Sequence, residues 1–142
     1  MQVYGVRMST QDDEVIESEF MRATGLVMTE ITATKVTGYA ELGPRQHQPH
    51  GIVHGGVYCA IIETVASTGA FTAVADQGKV VVGVHNATDF LRAVSEARAT
   101  VVGEPLFQGR TQQLWQVVIT NDANSKELAR GQVRLAVIDR PS

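Results

Sequence analysis

The chain has little of several features that define common functional classes. Cys59 is the only cysteine among 142 residues, which excludes an internal disulfide framework and a cysteine-based zinc site and suits a reducing compartment. Twelve basic residues stand against fifteen acidic ones, so a general nucleic-acid-binding protein is not indicated. The nucleophile elbow G-x-S-x-G, the P-loop and the dinucleotide fingerprint are also absent.

Signals for secretion or membrane insertion are weak. The first 25 residues lack the basic end and continuous apolar run of a signal peptide. The segment from Gly55 to Ala75 is long enough to cross a membrane. However, it contains Glu63, follows His54 and includes several Gly and Thr residues, so a buried core helix is the better interpretation. We therefore expect a cytoplasmic, soluble protein that contacts neither membrane nor nucleic acid.

The residues that are abundant favour strands. Val, Ile and Thr together number 40, against seven Leu, and β-branched side chains pack well on pleated sheets. The length and the hydrophobic content of 44% predict one domain over residues 1–142 with its own core. No repeat, linker or low-complexity tract divides the chain.

Apolar periodicity predicts two helices and six strands. The helices cover 11–22 and 55–75, and the strands cover 26–33, 35–43, 80–91, 97–106, 110–121 and 127–139. Residues 1–24 form an N-terminal segment whose helix ends at Gly25, 44–53 form a loop, and 121–125 form a hairpin turn. Because the last four strands follow one another directly, we expect an antiparallel meander with the long helix covering one face.

The start of the long helix is the first candidate for chemistry. Backbone N–H groups at a helix start have no internal partners, and the sequence His54-Gly55-Gly56 lets a ligand approach them closely. A helix start also favours developing negative charge, so this segment could form an oxyanion site for a carbonyl group. The alternative is an ordinary glycine-rich helix start.

The second candidate is an acid in an apolar helix. Glu63 stands two turns into the helix, and Ser67 lies four residues further on the same face. A lone buried carboxylate is unfavourable unless it is partnered or functional. The alternative is a Glu63 that reaches solvent at the edge of the helix.

Three histidines offer a rival interpretation as metal ligands. His47 and His50 fall in a loop, and their spacing to His54 matches no standard helical pair. We therefore expect no metal. Cys59, on the helix, is interpreted as a small core residue.

Together these motifs resemble the hotdog-fold acyl-CoA thioesterases, in the branch that includes the phenylacetate-pathway and 4-hydroxybenzoyl-CoA thioesterases. The H-G-G start and the acid two turns later are followed by the segment His85-Asn86-Ala-Thr-Asp-Phe90-Leu91-Arg92 and by Gln108-Gly109-Arg110-Thr111, and the resemblance covers roughly 25–139. It implies an α+β hotdog domain, in which a curved antiparallel β-sheet wraps a long central helix. One departure is Pro105, where the family usually continues a regular strand.

The resemblance also implies roles for individual residues. Gly55 would donate its N–H to the thioester carbonyl, Glu63 would be nucleophile or general base, and Gln48 would orient the leaving group or water. Ser67 would lie near the hydrolytic water, and His54 would hold the loop before the helix. Residues lining the CoA channel would be Val84, His85, Arg110 and Thr111, and Arg92 is a further candidate partner of the CoA phosphates.

The expected reaction is hydrolysis of an acyl-CoA to a free acid and CoA, without a cofactor. A non-catalytic acyl-CoA-binding hotdog protein is the alternative, and a hotdog dehydratase is disfavoured because its Asp/His motif is missing. The acyl group is not readable from the sequence.

Helix geometry predicts that each active site needs two chains. Gly55 and Glu63 are eight residues apart, which is about 12 Å along a helix and about 80° around it. One helix cannot easily bring both groups to one carbonyl carbon, whereas a two-fold dimer can. The resemblance implies such a homodimer, often paired again into a homotetramer.

Overall fold

The computed structural model describes residues 18–142 and begins with a short helix, α1 (Glu19–Thr24). The Ser18 hydroxyl caps its start by accepting the backbone N–H of Met21 at 3.2 Å. Gly25 ends it in the left-handed conformation, with φ 76°, which a residue without a Cβ adopts at little cost. The end at Gly25 is as predicted, whereas residues 11–17 of the predicted helix lie outside the described residues.

A hairpin follows, with strands β1 (Leu26–Ile31) and β2 (Val36–Leu42). The Thr32 hydroxyl closes its turn by accepting the backbone N–H of Lys35 and donating to the carbonyl of the same residue, both at 2.9 Å. Both predicted strands are confirmed. The loop after them contains one short 3-10 turn at Pro44–Gln46.

The long helix α2 runs from Gly55 to Thr72. Its sheet-facing residues are fully buried: Ile61, Ile62, Val65, Ala66 and Ala70. The helix ends three residues before the predicted limit and passes through a 3-10 turn, Ala75–Gln77, to Gly78. Within residues 18–142, no helix is long and apolar enough to span a membrane.

Four long strands complete the sheet: β3 (Lys79–Phe90), β4 (Ala97–Gln108), β5 (Gln112–Asn121) and β6 (Glu127–Asp139). All adjacent pairs are antiparallel, and the order across the sheet is β1-β2-β4-β5-β6-β3. The predicted meander is therefore right for β4, β5 and β6 but wrong for β3. This strand lies at the far edge beside β6, and residues 91–96 carry the chain back to β4, which pairs with β2.

Bulges bend four of the five strand pairs, which helps the sheet to curve around α2. One lies at Leu106: Pro105 pairs with Trp115 and Phe107 with Leu114. The strand therefore continues through Pro105 with one extra residue, which is a way for a sheet to accommodate proline.

The core between α2 and the sheet is closely packed. Trp115 is fully buried, and its ring lies so close to Gly69 that any Cβ there would overlap it. The Trp115 indole N–H donates to the side-chain oxygen of Gln113 at 2.8 Å, and the Gln113 amide donates to the carbonyl of Ala70 at 3.1 Å. These contacts fix the second half of the helix against the sheet.

Candidate active site

His54 is the N-cap of α2. Its ring nitrogen Nδ1 accepts the backbone N–H of Gly56 at 2.8 Å, and its own backbone N–H donates to the carbonyl of Gln46 at 2.8 Å. The His54 side chain thus satisfies one of the free backbone N–H groups in the first turn of the helix. The His54 backbone N–H holds the start of the helix against the preceding loop. This geometry fits the structural role that the resemblance implies for His54.

Gly55 is the first residue of the helix, and its backbone N–H has no hydrogen-bond acceptor among the described residues. The ring of Phe90, at the end of β3, lies against it: a Cβ on Gly55 would come within 2.6–2.9 Å of three ring carbons. Glycine is therefore required here for close packing. The sequence analysis used Phe90 only as part of a resemblance and did not place it beside Gly55.

Glu63 lies on the exposed side of α2, beside the edge strand β3. Its side chain is exposed to solvent in the single chain. This agrees with the alternative that Glu63 reaches solvent at the edge of the helix, and not with a buried carboxylate. The Oε1 atom would lie 3.0 Å from a Cβ at Gly83. Ser67 is on the same face, one turn further, but no hydrogen bond joins it to Glu63 in the described chain. The structure thus brings the two side chains into one groove without linking them.

That groove runs between α1 and the outer face of α2 and has a volume of about 630 Å³. Its lining residues come from both helices: Ser18, Phe20, Met21, Gly56, Cys59, Ala60, Glu63, Thr64 and Ser67. Cys59 is half-buried in this wall, so its interpretation as a core residue is wrong. Among residues 18–142, Glu63 is the one carboxylate in a lining that is otherwise neutral and mostly apolar, which gives the groove an acid beside a space suited to an apolar ligand.

Gln48 is engaged within its own loop. Its side-chain oxygen accepts the backbone N–H of His50, and its backbone N–H and carbonyl contact Ile52 at 2.8 Å and Gly51 at 3.1 Å. These bonds form a tight turn before the helix. The side-chain amide nitrogen has no acceptor in the described part of the chain, so it is the part of Gln48 that is free to bind a ligand.

The residues predicted to contact CoA lie on three separate segments of the chain. Val84 and His85 are exposed on β3, whereas Arg92 lies beyond the end of that strand and donates to the backbone carbonyl of Glu127 at 2.7 Å. Arg110 and Thr111 are exposed in the β4–β5 turn.

The register reveals one basic residue that the sequence analysis missed. Arg134 on β6 is exposed and pairs directly with His85 on the edge strand, so the two side chains share a face of the sheet. The predicted segment contained Arg134, but only the pairing of β3 with β6 places it near a candidate CoA residue.

Two of the three histidines considered as metal ligands use a ring nitrogen within the protein. His47 Nε2 lies 2.7 Å from the carbonyl oxygen of Ser95, and His54 Nδ1 binds the backbone of Gly56. Among residues 18–142, no group of three or more His, Cys, Asp or Glu side chains is arranged to hold a metal ion.

Two pKa shifts lie close to these residues. Burial raises the pKa of Tyr58, whose ring centroid lies 6.2 Å from that of Phe90. Its hydroxyl is enclosed in the core and has no hydrogen-bond partner among residues 18–142. The hydrogen bonds from Arg130, aided by the charge of that residue and of Arg92, lower the pKa of Glu127. Arg92 itself binds the backbone carbonyl of Glu127 and not its carboxylate.

Comparison with known proteins assigns the family. The thioesterase superfamily model matches residues 50–127. A Mycobacterium tuberculosis protein provisionally named an esterase, Rv1847, is 46% identical over 113 residues, which cover 78% of this chain and 80% of that protein. Its solved structure has a TM-score of 0.82 at 42% identity and covers 88% of this chain and 100% of that chain.

Two further similar proteins carry thioesterase names. The proofreading thioesterase EntH of Cronobacter sakazakii is 34% identical over 98 residues, 69% of this chain and 71% of that protein. The structure of thioesterase HI1161 from Haemophilus influenzae has a TM-score of 0.77 at 28% identity, and covers 84% of this chain and 82% of that chain. The chain therefore belongs to the thioesterase superfamily and has the α+β hotdog fold of a thioester hydrolase.

Proposed function

We propose that the protein hydrolyses acyl-CoA thioesters, with the Gly55 N–H polarising the carbonyl and Glu63 acting as nucleophile or general base. The observation that carries this proposal is an accessible carboxylate on the wall of a largely apolar groove. The groove reaches Gly56 at the start of the same helix, next to the Gly55 N–H, which has no acceptor within residues 18–142. Donors at a helix start stabilise the negative charge that develops on a carbonyl oxygen under attack.

In the proposed reaction, water is added across the bond between the carbonyl carbon and sulfur. In one route Glu63 takes a proton from water, whose oxygen bonds to the carbonyl carbon, and passes that proton to the sulfur as the carbon–sulfur bond breaks. In the other, the carboxylate of Glu63 displaces the thiolate to form a mixed anhydride, which water then hydrolyses. Both routes release a free acid and a thiol and regenerate Glu63.

The groove favours an apolar acyl group. Phe20, Met21, Cys59 and Ala60 supply apolar surface next to Glu63, where an aromatic ring or a medium-length alkyl chain could be buried favourably. Aromatic acyl-CoAs are therefore the first substrates to test, and medium-chain acyl-CoAs the second. We also propose that exposed basic residues, with Arg92 and Arg110 as candidates, bind the CoA phosphates.

We further propose that the site is shared between two copies of the chain. Within one copy, Gly55 and Glu63 are separated by two turns of α2, about 12 Å. Both lie beside β3, Gly55 against Phe90 and Glu63 against Gly83. Because β3 is an edge strand without a partner on its outer side in the described chain, a second copy could pair there and bring its Glu63 to the first copy's Gly55.

The test is thiol release from a panel of aromatic and aliphatic acyl-CoAs, followed with a free-thiol reagent. We expect Glu63→Ala to lower kcat at least ~100-fold, because the nucleophile or base is lost, while circular dichroism shows an unchanged fold. Glu104→Ala, which removes an exposed acid from β4, is the matched control and should keep wild-type turnover.

Two results would contradict the proposal. A folded Glu63→Ala variant with near wild-type turnover would exclude the catalytic role of Glu63. Saturable acyl-CoA binding without thiol release from any substrate would favour the alternative, a non-catalytic acyl-CoA-binding protein.

A further inference from the structure

A bulge in β3 decides which of its side chains face α2. The register with β6 shifts between Gly83 and His85, so Val84 is the extra residue. Before the bulge, Gly83 lies opposite the buried Leu135; after it, Asn86 lies opposite the fully buried Val133. Residues directly opposite each other share a face of a sheet.

After the bulge, the side chains that would have pointed to one face of the strand therefore point to the other. Without the extra residue, strict alternation from Gly83 would turn His85, Ala87 and Asp89 toward the helix. With it, Asn86 and Thr88 are the polar side chains on the helix side of the strand, and both are half-buried.

Asn86 contacts the helix at the turn that carries Glu63. Its side-chain amide donates to the backbone carbonyl of Cys59 at 3.0 Å. In an α-helix this same carbonyl accepts the N–H of the residue four positions later, which is Glu63. The amide thus links the edge strand directly to the peptide group to which the backbone of Glu63 is bound.

Thr88 fixes the direction of that amide. Its hydroxyl donates to the side-chain oxygen of Asn86 at 2.6 Å, so the amide nitrogen is the end that points to Cys59. Gly131, opposite Thr88 on β6, makes room for this hydroxyl, because a Cβ there would lie 2.5 Å from it.

Packing alone does not require these polar groups. The carbonyl of Cys59 already has its acceptor role within α2, and two half-buried polar side chains cost desolvation that valine or leucine would avoid. The hydrogen bonds of Asn86 and Thr88 are directional, so they fix one position of the helix along the strand. Apolar contacts alone would let the helix slide along the strand.

We propose that Asn86 is a positioning residue for Glu63, and that Thr88 orients Asn86 for this role. This inference rests on the proposed catalytic function of Glu63. In a site shared by two copies, the separation between Glu63 and the other copy's Gly55 depends on how α2 lies over β3. The hydrogen bond from Asn86 to the Cys59 carbonyl fixes the position of α2 over β3 one turn before Glu63.

The test compares Asn86→Ala, Thr88→Val and Thr88→Ser. We expect the first two to lower kcat roughly tenfold or more while KM changes less than about threefold, because a small misplacement of a catalytic group slows chemistry more than binding. Thr88→Ser keeps the hydroxyl and should restore most of kcat.

Thr72→Val is the matched control. Like Thr88, Thr72 is half-buried and its hydroxyl donates one hydrogen bond, in this case to the carbonyl of Thr68 at 2.8 Å. It lies at the far end of α2 from Glu63. It should lose comparable stability and keep wild-type kcat. If Asn86→Ala keeps wild-type kcat, or if Thr72→Val loses as much kcat as Thr88→Val, the positioning role is refuted. Wild-type kcat in Thr88→Val would refute the part assigned to Thr88.

A double variant separates this inference from the proposed function. If Asn86 acts through Glu63, adding Asn86→Ala to Glu63→Ala should lower the residual rate no further. A further tenfold loss in the double variant would show a separate role and overturn the inference. Full activity of Glu63→Ala itself would instead overturn the proposed function.

Discussion

A single methyl group at Gly83 should slow the enzyme without weakening the fold. A Cβ at this position would lie 3.0 Å from the Glu63 Oε1 atom, against ordinary contacts of 3.4–4 Å. The carboxylate must therefore move by about 0.5 Å, and since a 1 Å misplacement can cost about 100-fold, we expect kcat of Gly83→Ala to fall by roughly tenfold.

The stability of this variant should move in the opposite direction. Gly83 is not among the glycines with positive φ, and the atoms nearest the new methyl group belong to the flexible end of Glu63. Replacing glycine by alanine in a strand then stabilises by about 0.5–1 kcal/mol, because the unfolded chain loses freedom.

The assay pairs acyl-CoA turnover with thermal or denaturant unfolding of the same sample. Lower kcat at equal or higher stability would support a catalytic carboxylate held over Gly83. Unchanged kcat in a folded Gly83→Ala variant would refute the reasoning, because the position of Glu63 would then not matter for turnover.

Two further predictions concern metal and packing. Chelators should leave turnover unchanged, because His47 and His54 already bind within the protein; a stoichiometric transition metal lost together with activity would contradict this. Gly69→Ala should destabilise by at least ~2 kcal/mol, because a methyl group would overlap the buried Trp115 ring; denaturant unfolding with a wild-type midpoint would contradict it.

Local patterns in the sequence were sufficient for the elements but not for their order. Apolar alternation located β3, β4, β5 and β6 to within a few residues, since periodicity is set by neighbours in the chain. The placement of β3 beside β6 depends on pairing between distant segments, which no local pattern encodes. The simplest connection, a meander, was therefore wrong at this one strand.

The same limit applies to the candidate site. His54, Gly55 and Glu63 could be chosen from residue type and helix spacing alone, because all belong to one helix and its cap. Phe90 and Asn86 could not, since their contacts with α2 depend on the bulge at Val84 and on the position of β3.

The sequence also could not decide whether Glu63 is buried or exposed. The residues of α2 itself are apolar on nearly every face. The sequence pattern therefore does not identify the face of the helix that the rest of the chain leaves exposed. That face is set by the sheet on one side and by α1 on the other.

The most direct test of the account is complementation between two inactive variants. Gly55→Pro removes the N–H donor, Glu63→Ala removes the acid, and each variant alone should be inactive. The shared-site proposal predicts that mixed dimers regain activity. In each mixed dimer, Gly55 of the Glu63→Ala chain and Glu63 of the Gly55→Pro chain form one intact site.

Mixing should be done under conditions where subunit exchange is verified with differently tagged chains, and turnover should be compared with equal amounts of each variant alone. Recovery of up to half of the wild-type activity per mixed dimer is the predicted result, because one of two symmetric sites is intact. If both variants fold and exchange subunits yet turnover stays at the level of the single variants, the shared site is contradicted.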